Sequence, residues 1–176
     1  NLDRLTEYLA TGISPEGTSF AGMNTVTHFS TSQMDKADVK AMATYLLTDR
    51  AGKLLSQQTS PIASNQVIGA MKKGDAEAGY DLYMSACASC HGIEGQGIPN
   101  VVPALKGNAI VAMTDPQTLV AVVLNGLSTT TYTNGQRMYA MPAYEGELTS
   151  KELADLLTWV RAKWGGISTP VSQKSL

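Results

Sequence analysis

The feature that most constrains this chain is the run Cys87-Ala88-Ser89-Cys90-His91, which holds both of its cysteines and one of its two histidines. Two thiols at this spacing, followed at once by an imidazole, form the attachment signature of a c-type haem. In such a site each cysteine forms a thioether to a haem vinyl group, and the histidine ligates the iron. The run therefore predicts one covalent haem, held by Cys87 and Cys90, with His91 as an iron ligand.

Two other chemistries share part of this motif. A redox-active dithiol also has two cysteines at this spacing, and a structural zinc site also combines cysteine with histidine. An adjacent imidazole adds nothing to a dithiol. A zinc site needs four ligands, whereas the chain offers two cysteines and, besides His91, only His28. The motif therefore favours haem attachment over both alternatives.

Composition narrows the class of partner and the compartment. Charged residues make up 16% of the chain, its net charge is −2 and it has no basic run, so we expect no nucleic-acid partner. No apolar segment is long enough to span a bilayer, so any membrane association is expected through other subunits or missing segments.

The haem motif and the first residue bear on the compartment. Haem attachment is extracytoplasmic in bacteria and Asn1 is not a natural start, so we expect a removed or upstream signal and a periplasmic location, either free or at the inner membrane.

Helical periodicity predicts an all-α fold. Residues 1–12 have the pattern of the end of a helix, with Gly12 as its C-terminal cap. Asp35 is the predicted N-cap of a second helix, Lys36 to Leu47. The Gly- and Ser-rich segment between them, which contains Met23, is predicted to be a loop.

The second half of the chain is predicted to contain three more helices. The first, N-capped by Asp75, leads directly into the haem motif. The next opens at Asp115-Pro116 and ends at Asn125-Gly126. Thr149 and Glu152 form a capping box for the last helix. The apolar face of that helix comprises Leu153, Leu156, Leu157, Val160 and Trp164.

The predicted helices repeat at an offset of 114 residues, because Leu5, Gly12 and Val39 fall on Leu119, Gly126 and Leu153. A chance match between two common amphipathic helices is the alternative. The repeat predicts that residues 1–49 are the C-terminal half of an upstream haem domain whose own motif precedes Asn1. Its unpaired apolar face would then favour contact between chains. The remaining segments are a linker (50–73), a haem-binding domain (74–166) and a flexible tail (167–176).

The iron needs a sixth ligand if it is to carry electrons without an open coordination site. Met141 is the favoured donor, because the following proline restricts it to an extended backbone that can aim its sulfur across the haem plane. Met138 is the competing donor. Pro103 is predicted to offer its carbonyl to the second ring nitrogen of His91. Arg137, together with Gln136, is a candidate for binding a haem propionate, and a solvated Arg137 is the alternative.

Several stretches of residues 74–166 resemble a known family. They are Cys87 to Gly92, Val102 to Asn108, Val123 to Gly126, Met141 to Tyr144 and Leu153 to Trp164. They are similar to the third haem domain of the triheme cytochrome c subunits of bacterial membrane-bound dehydrogenases. The resemblance implies a class I cytochrome c fold, Met141 as the sixth ligand, and packing of Gly79 and Tyr83 against Leu156 and Trp159.

The resemblance also extends to the first half of the chain. Gly22 to Val26, Ser30-Thr31 and Ala41 to Leu46 are similar to the end of the second domain of the same subunits, where the methionine matching Met23 ligates a haem. One departure concerns the haem motif, which occurs three times in the family and once here. Met23 therefore has no haem of its own within this sequence.

The function implied by the resemblance is electron transfer, without enzymatic activity of the chain itself. The domain would relay electrons from the catalytic subunit of a periplasmic dehydrogenase, acting on alcohol, gluconate, aldehyde or sorbitol, towards quinone or a terminal oxidase. A stand-alone soluble cytochrome c carrier and a haem-bearing docking subunit share the same fold. A haem enzyme with an exchangeable sixth ligand is less favoured, since Met141 would occupy that position.

Overall fold

The computed structural model of this chain describes residues 1–55 and 73–173. These residues divide into two compact units, one formed by 1–55 with 130–137 and the other by 73–129 with 138–173. Helices predominate in both, which confirms the predicted all-α fold class. Within the described ranges, no helix is both long and apolar enough to cross a membrane. Residues 56–72 of the predicted linker lie outside the described part of the chain.

The first unit is built on two helices that pack against each other, α1 (Leu2–Thr11) and α3 (Lys36–Leu46). Its core consists of Leu9, Val39 and Ala43. Gly12 ends α1 as predicted, because its φ of 82° lies in the left-handed region that favours glycine. The elements from residue 1 onward are α1 (Leu2–Thr11), β1 (Ile13–Ser14), β2 (Gly17–Thr18), α2 (Ala21–Phe29), a 3-10 turn (Thr31–Gln33) and α3 (Lys36–Leu46).

The segment between α1 and α3 is not the loop that the sequence predicts. Its residues form the β1–β2 hairpin and then α2, which contains Met23. The β-branched residues of α2 give it little intrinsic helix propensity. Tertiary contacts stabilise it instead, because the buried hydroxyl of Thr27 lies 2.9 Å from that of Ser19. Local periodicity therefore gives no signal for this helix.

The second unit has its core where two helices cross, α4 (Lys73–Ala86) and α7 (Ser150–Val160). At the crossing, a Cβ on Gly79 would lie 2.5 Å from the Cβ of Trp159, so only glycine permits this approach. The ring of Tyr83 packs at 5.2 Å from that of Trp159, as the resemblance implies. The helices of this unit are α4 (Lys73–Ala86), α5 (Ala88–His91), α6 (Gln117–Asn125) and α7 (Ser150–Val160), which continues as one π-helical turn (Arg161–Gly165).

Two short strands, β3 (Thr130–Thr131) and β4 (Arg137–Met138), form a second hairpin between α6 and α7. The capping box of Thr149 and Glu152 opens α7 as predicted. The start of α4 differs from the prediction, since the helix begins at Lys73 and Asp75 lies in its first turn. Pro116 occupies the N-cap of α6 rather than its first turn.

The segment expected to be a flexible tail packs onto α7 as far as Val171. The side chain of Val171 is buried, and the backbone N–H of Val171 donates to the hydroxyl oxygen of Thr158 at 2.9 Å. The reason is that the apolar core of the second unit extends to Val171, although Thr169 and Ser172 close to it in the sequence are polar. Residues 174–176 lie outside the described part of the chain.

Candidate functional site

The cysteine and histidine side chains of the haem motif lie in a single helical turn. Cys87 directly follows α4, and its carbonyl oxygen accepts the N–H of Cys90 at 3.2 Å and of His91 at 2.9 Å. Both thiols are free, with Cys87 half-buried and Cys90 exposed. This turn holds two unlinked thiols and an imidazole at one end of a helix anchored in the core. The arrangement suits attachment of one flat ligand through both sulfurs.

The ring of His91 is oriented by the contact that the sequence predicts. Its Nδ1 lies 3.0 Å from the carbonyl oxygen of Pro103, to which the neutral imidazole donates a hydrogen bond. Burial lowers the pKa of His91, and the bond to Pro103 offsets part of that change. The imidazole is therefore neutral at pH 7. With the proton on Nδ1, Nε2 carries the lone pair that ligates a metal.

Gly97 brings the carbonyl of Pro103 within reach of His91. Its N–H donates to the carbonyl oxygen of His91 at 2.7 Å. A Cβ on Gly97 would lie 2.5 Å from the carbonyl oxygen of Val102 and 2.7 Å from the nitrogen of Ala104. Only glycine allows the loop to fold back this closely. From the sequence alone, nothing distinguishes Gly97 from the other glycines of this loop.

The backbone of Met141 is held at the end of α6. Met141 and Leu127 exchange two hydrogen bonds, of 2.8 and 3.0 Å. Gly126 packs closely against this pair, since a Cβ on Gly126 would lie 2.5 Å from the Met141 carbonyl oxygen. The side chain of Met141 is half-buried and packs against the same core cluster as Cys87. The structure thus brings the predicted thioether donor and the haem motif to one core.

Tyr144 links the Met141 segment to the residues just before the haem motif, and the sequence assigned it no role. Its hydroxyl donates to the carbonyl oxygen of Ala86, immediately before Cys87, at 2.6 Å. Its N–H donates to the carbonyl oxygen of Val123 on α6 at 3.1 Å. The only sequence signal is its place in the Met141-Pro-Ala-Tyr144 motif. Tyr144 therefore ties the Met141 segment to the end of α4, immediately before the haem motif.

The donor set fits a covalent haem c. It comprises two free thiols in one turn, a neutral imidazole with Nε2 available and a half-buried thioether packed at the same core. Arg137 lies on β4, is exposed and is grouped with the first unit. Met138 is the next residue of β4 and is half-buried. A propionate contact of Arg137, and the choice of Met141 over Met138, stay predictions.

Comparison with known proteins gives one family match and several similar chains. A family model described as cytochrome c matches residues 76–164. The chain is 31% identical to the cytochrome c subunit of an alcohol dehydrogenase (quinone) of Gluconobacter oxydans (strain 621H), over 93% of this chain and 34% of the relative. It is 28% identical to the gluconate 2-dehydrogenase cytochrome c subunit of Pantoea cypripedii, over 99% and 40%.

A third relative has a related description. The fructose dehydrogenase cytochrome subunit of Gluconobacter japonicus is 26% identical, over 96% of this chain and 38% of the relative. The chain thus spans between about a third and two fifths of the length of these curated relatives. The similarities agree with the resemblance drawn from the sequence motifs.

Proposed function

Because the chain belongs to the cytochrome c family, we propose that it carries one covalent haem c and transfers electrons through it. Bound haem c supplies a one-electron iron couple. Cys87 and Cys90 would hold the group, and His91 and Met141 would ligate its iron. Pro103 fixes the orientation and tautomer of His91. The observation that carries the proposal is that Cys87 and Met141 pack at one core while Pro103 leaves Nε2 of His91 available.

The chain acts as a carrier rather than an enzyme, in keeping with relatives that are the cytochrome subunits of dehydrogenases. A haem enzyme needs an exchangeable iron position and an acid or base beside it. In this proposal Met141 occupies that position. The second unit also contains no histidine other than His91, since His28 belongs to the first unit. With Met141 as a ligand, the iron would have no exchangeable position for enzymatic chemistry.

The redox partners follow from what the relatives are named for. They are cytochrome subunits of alcohol, gluconate and fructose dehydrogenases. By extension, the electron donor of this chain is the catalytic subunit of a periplasmic dehydrogenase, and the acceptor is quinone or a terminal oxidase. A stand-alone soluble carrier is the alternative, and the substrate of the donor is set by that partner alone.

Residues 1–49, within the first unit, are proposed to be the C-terminal half of an upstream haem domain. Shifted by 114 residues, Lys36–Leu46 becomes Ser150–Val160, so α3 and α7 have matching bounds. The ends of α1 and α6 also match, at Gly12 and Gly126. The carbonyl oxygens of Leu9 and of its counterpart Val123 each accept a hydrogen bond from the segment before the next helix, although the donors differ: the hydroxyl of Thr31 and the N–H of Tyr144. This agreement supports a structural repeat rather than a chance match of two helices.

One face of α3 is much more exposed than the corresponding face of its repeat counterpart α7. Tyr45 on α3 is 81% exposed, whereas its counterpart Trp159 on α7 is 4% exposed. Leu46 is 56% exposed, whereas its counterpart Val160 is 4% exposed. In the second unit, α4 covers this face. We infer that the same face of α3 receives a haem-attachment helix from outside residues 1–176, and contact with a second copy of the chain is the alternative.

Intact mass and the visible spectrum together test the proposal. Protein matured where c-type haem is attached should carry the mass of one haem, and denaturation should not release it. A variant with Cys87→Ala and Cys90→Ala should lose the group under the same denaturing conditions. The control Ser89→Ala, within the same turn, should retain it. A mass without haem, or with two, would contradict the proposal.

A further inference from the structure

The Pro103 carbonyl that orients His91 belongs to a loop that is held in place by Gly95. Shortly after Pro103 the chain returns to Gly95, whose carbonyl oxygen accepts the N–H of Leu105 at 2.9 Å and of Lys106 at 3.0 Å. Pro103 precedes Leu105 by two residues, a span of at most about 7 Å. A shift of Gly95 would therefore move the hydrogen-bond acceptor of His91.

The other end of this loop lies nearer the surface. Val102, directly before Pro103, exchanges two backbone hydrogen bonds with Ile98, of 2.9 and 3.0 Å. Ile98 is 44% exposed, whereas Gly95 is buried. Gly95 is therefore the point at which the loop is anchored in the core of the second unit.

Gly95 rests on the indole ring of Trp164. A Cβ on Gly95 would lie 2.6, 2.7 and 2.9 Å from the ring carbons Cε2, Cζ2 and Cδ2, so the backbone of Gly95 itself contacts the ring. Trp164 is 4% exposed. Its ring packs edge-to-face at 4.9 Å from that of Tyr83 and at 5.2 Å from that of Trp159. These neighbours hold the indole in place, so Gly95 has a rigid support.

The position of Trp164 depends on the π-helical turn that follows α7, Arg161–Gly165. A π-turn contains more residues than an α-helical turn, so it changes the direction in which the following side chains point. Gly165 ends this turn against the carbonyl oxygen of Val111, where a Cβ would have no room. This close packing holds the turn, and with it the direction of the indole.

We propose that Trp164 is a positioning residue for His91. It supports Gly95, Gly95 holds the chain that follows Pro103, and the Pro103 carbonyl orients the imidazole. The proposal rests on the proposed function, in which His91 is an iron ligand. The hydrogen bond on Nδ1 fixes the tautomer and the basicity of a ligating imidazole. The end of the last helix thereby maintains the orientation of the ligand from behind the loop.

Hydrogen exchange in the reduced, haem-loaded protein tests the proposal, because NMR follows individual protons. The three to follow are the Nδ1 proton of His91 and the N–H protons of Leu105 and Lys106. Trp164→Phe leaves a smaller ring under the loop and should speed their exchange about fivefold. Trp164→Leu removes the ring and should speed it by more than about tenfold, because the unsupported loop opens more often.

The N–H of Leu127 is the internal reference. It donates to the carbonyl oxygen of Met141 at 3.0 Å, within the same unit but away from the loop. A general loss of stability would speed its exchange by the same factor as that of the His91 proton. Loss of a local support should speed the His91 proton alone, so the ratio of the two rates is the measurement.

Trp159→Phe is the matched control. Trp159 is also 4% exposed, but it packs against Gly79 rather than Gly95. This variant should leave the ratio unchanged. If Trp164→Leu does not fold, Trp164→Phe decides, and an unchanged ratio in the folded variants would overturn the role of Trp164. Absence of haem-shifted ring resonances of His91 in the unmodified protein would instead overturn His91 as ligand, so the two failures are distinguishable.

Discussion

The hydroxyl of Tyr144 donates a 2.6 Å hydrogen bond to the carbonyl oxygen of Ala86, the residue before Cys87. Burial raises the pKa of Tyr144, so the hydroxyl keeps its proton and remains a donor at neutral pH. The bond joins the segment that carries one proposed iron ligand, Met141, to the end of α4, which leads directly into the turn that carries the other, His91. The two segments that carry the proposed ligands are therefore joined directly through the protein.

Tyr144→Phe should lower the free energy of unfolding by about 1 kcal/mol, because it leaves the carbonyl of Ala86 without this donor. For a unit of this size, the melting temperature should fall by about 4–8 °C. Thermal unfolding followed by circular dichroism measures the change. Tyr80→Phe is the control, because it keeps the ring that packs at 5.7 Å from Trp159. Equal melting temperatures for the two variants would contradict the linking role of Tyr144.

Met141→Ala should abolish the weak sulfur-to-iron absorption of the oxidised protein and lower its reduction potential. The physical reason is that a thioether ligand favours ferrous iron. Spectroelectrochemistry provides both measurements on one sample. Met138→Ala, three residues earlier, should keep the absorption and a potential near that of the unmodified protein. If the Met138 variant loses the absorption and the Met141 variant retains it, Met138 is the ligand.

Gly97→Ala should lower the free energy of unfolding by more than about 2 kcal/mol, because it combines backbone strain with a steric clash. The added Cβ would lie 2.5 Å from the Val102 carbonyl oxygen, at a φ of +66°. Gly107→Ala separates these effects, since its φ is +77° and no atom lies within 4 Å of the added Cβ. That control should cost only about 1–2 kcal/mol, the strain alone. Chemical denaturation measures both, and equal losses would show that the loop tolerates a Cβ at Gly97.

Gly79→Ala should destabilise the second unit, although alanine ordinarily stabilises a helix by about 1 kcal/mol relative to glycine. The Cβ would lie 2.5 Å from the Cβ of Trp159 and 2.6 Å from the carbonyl oxygen of Asp155, so α4 and α7 would have to separate. Overpacking of this kind costs about 1–3 kcal/mol. Gly74→Ala, on the same helix with no atom within 4 Å, should be neutral or stabilising. Stabilisation by both substitutions would show that the helices do not pack this closely.

Much of the local structure of the candidate site was predictable because the residues that form it lie close together in the sequence. Cys87, Cys90 and His91 lie within one turn, so their order in the sequence already brings them together. The bond from His91 to the Pro103 carbonyl spans twelve residues of one loop and was predicted as well. The same holds for the helix ends at Gly12 and Gly126, where a left-handed φ selects glycine.

The sequence by itself therefore determined the local structure at these positions, namely the helix ends and the turn of the haem motif. The tertiary structure decided where the long-range partners lie. Tyr132 and Ser19 are separated by 113 residues, and nothing in the residues around Tyr132 indicates that it packs in the first unit. Val171 is likewise buried within a polar segment. The reason is physical: a cap or a haem motif is recognised by neighbours in the chain, whereas a buried side chain depends on a surface that exists only after distant segments have folded together.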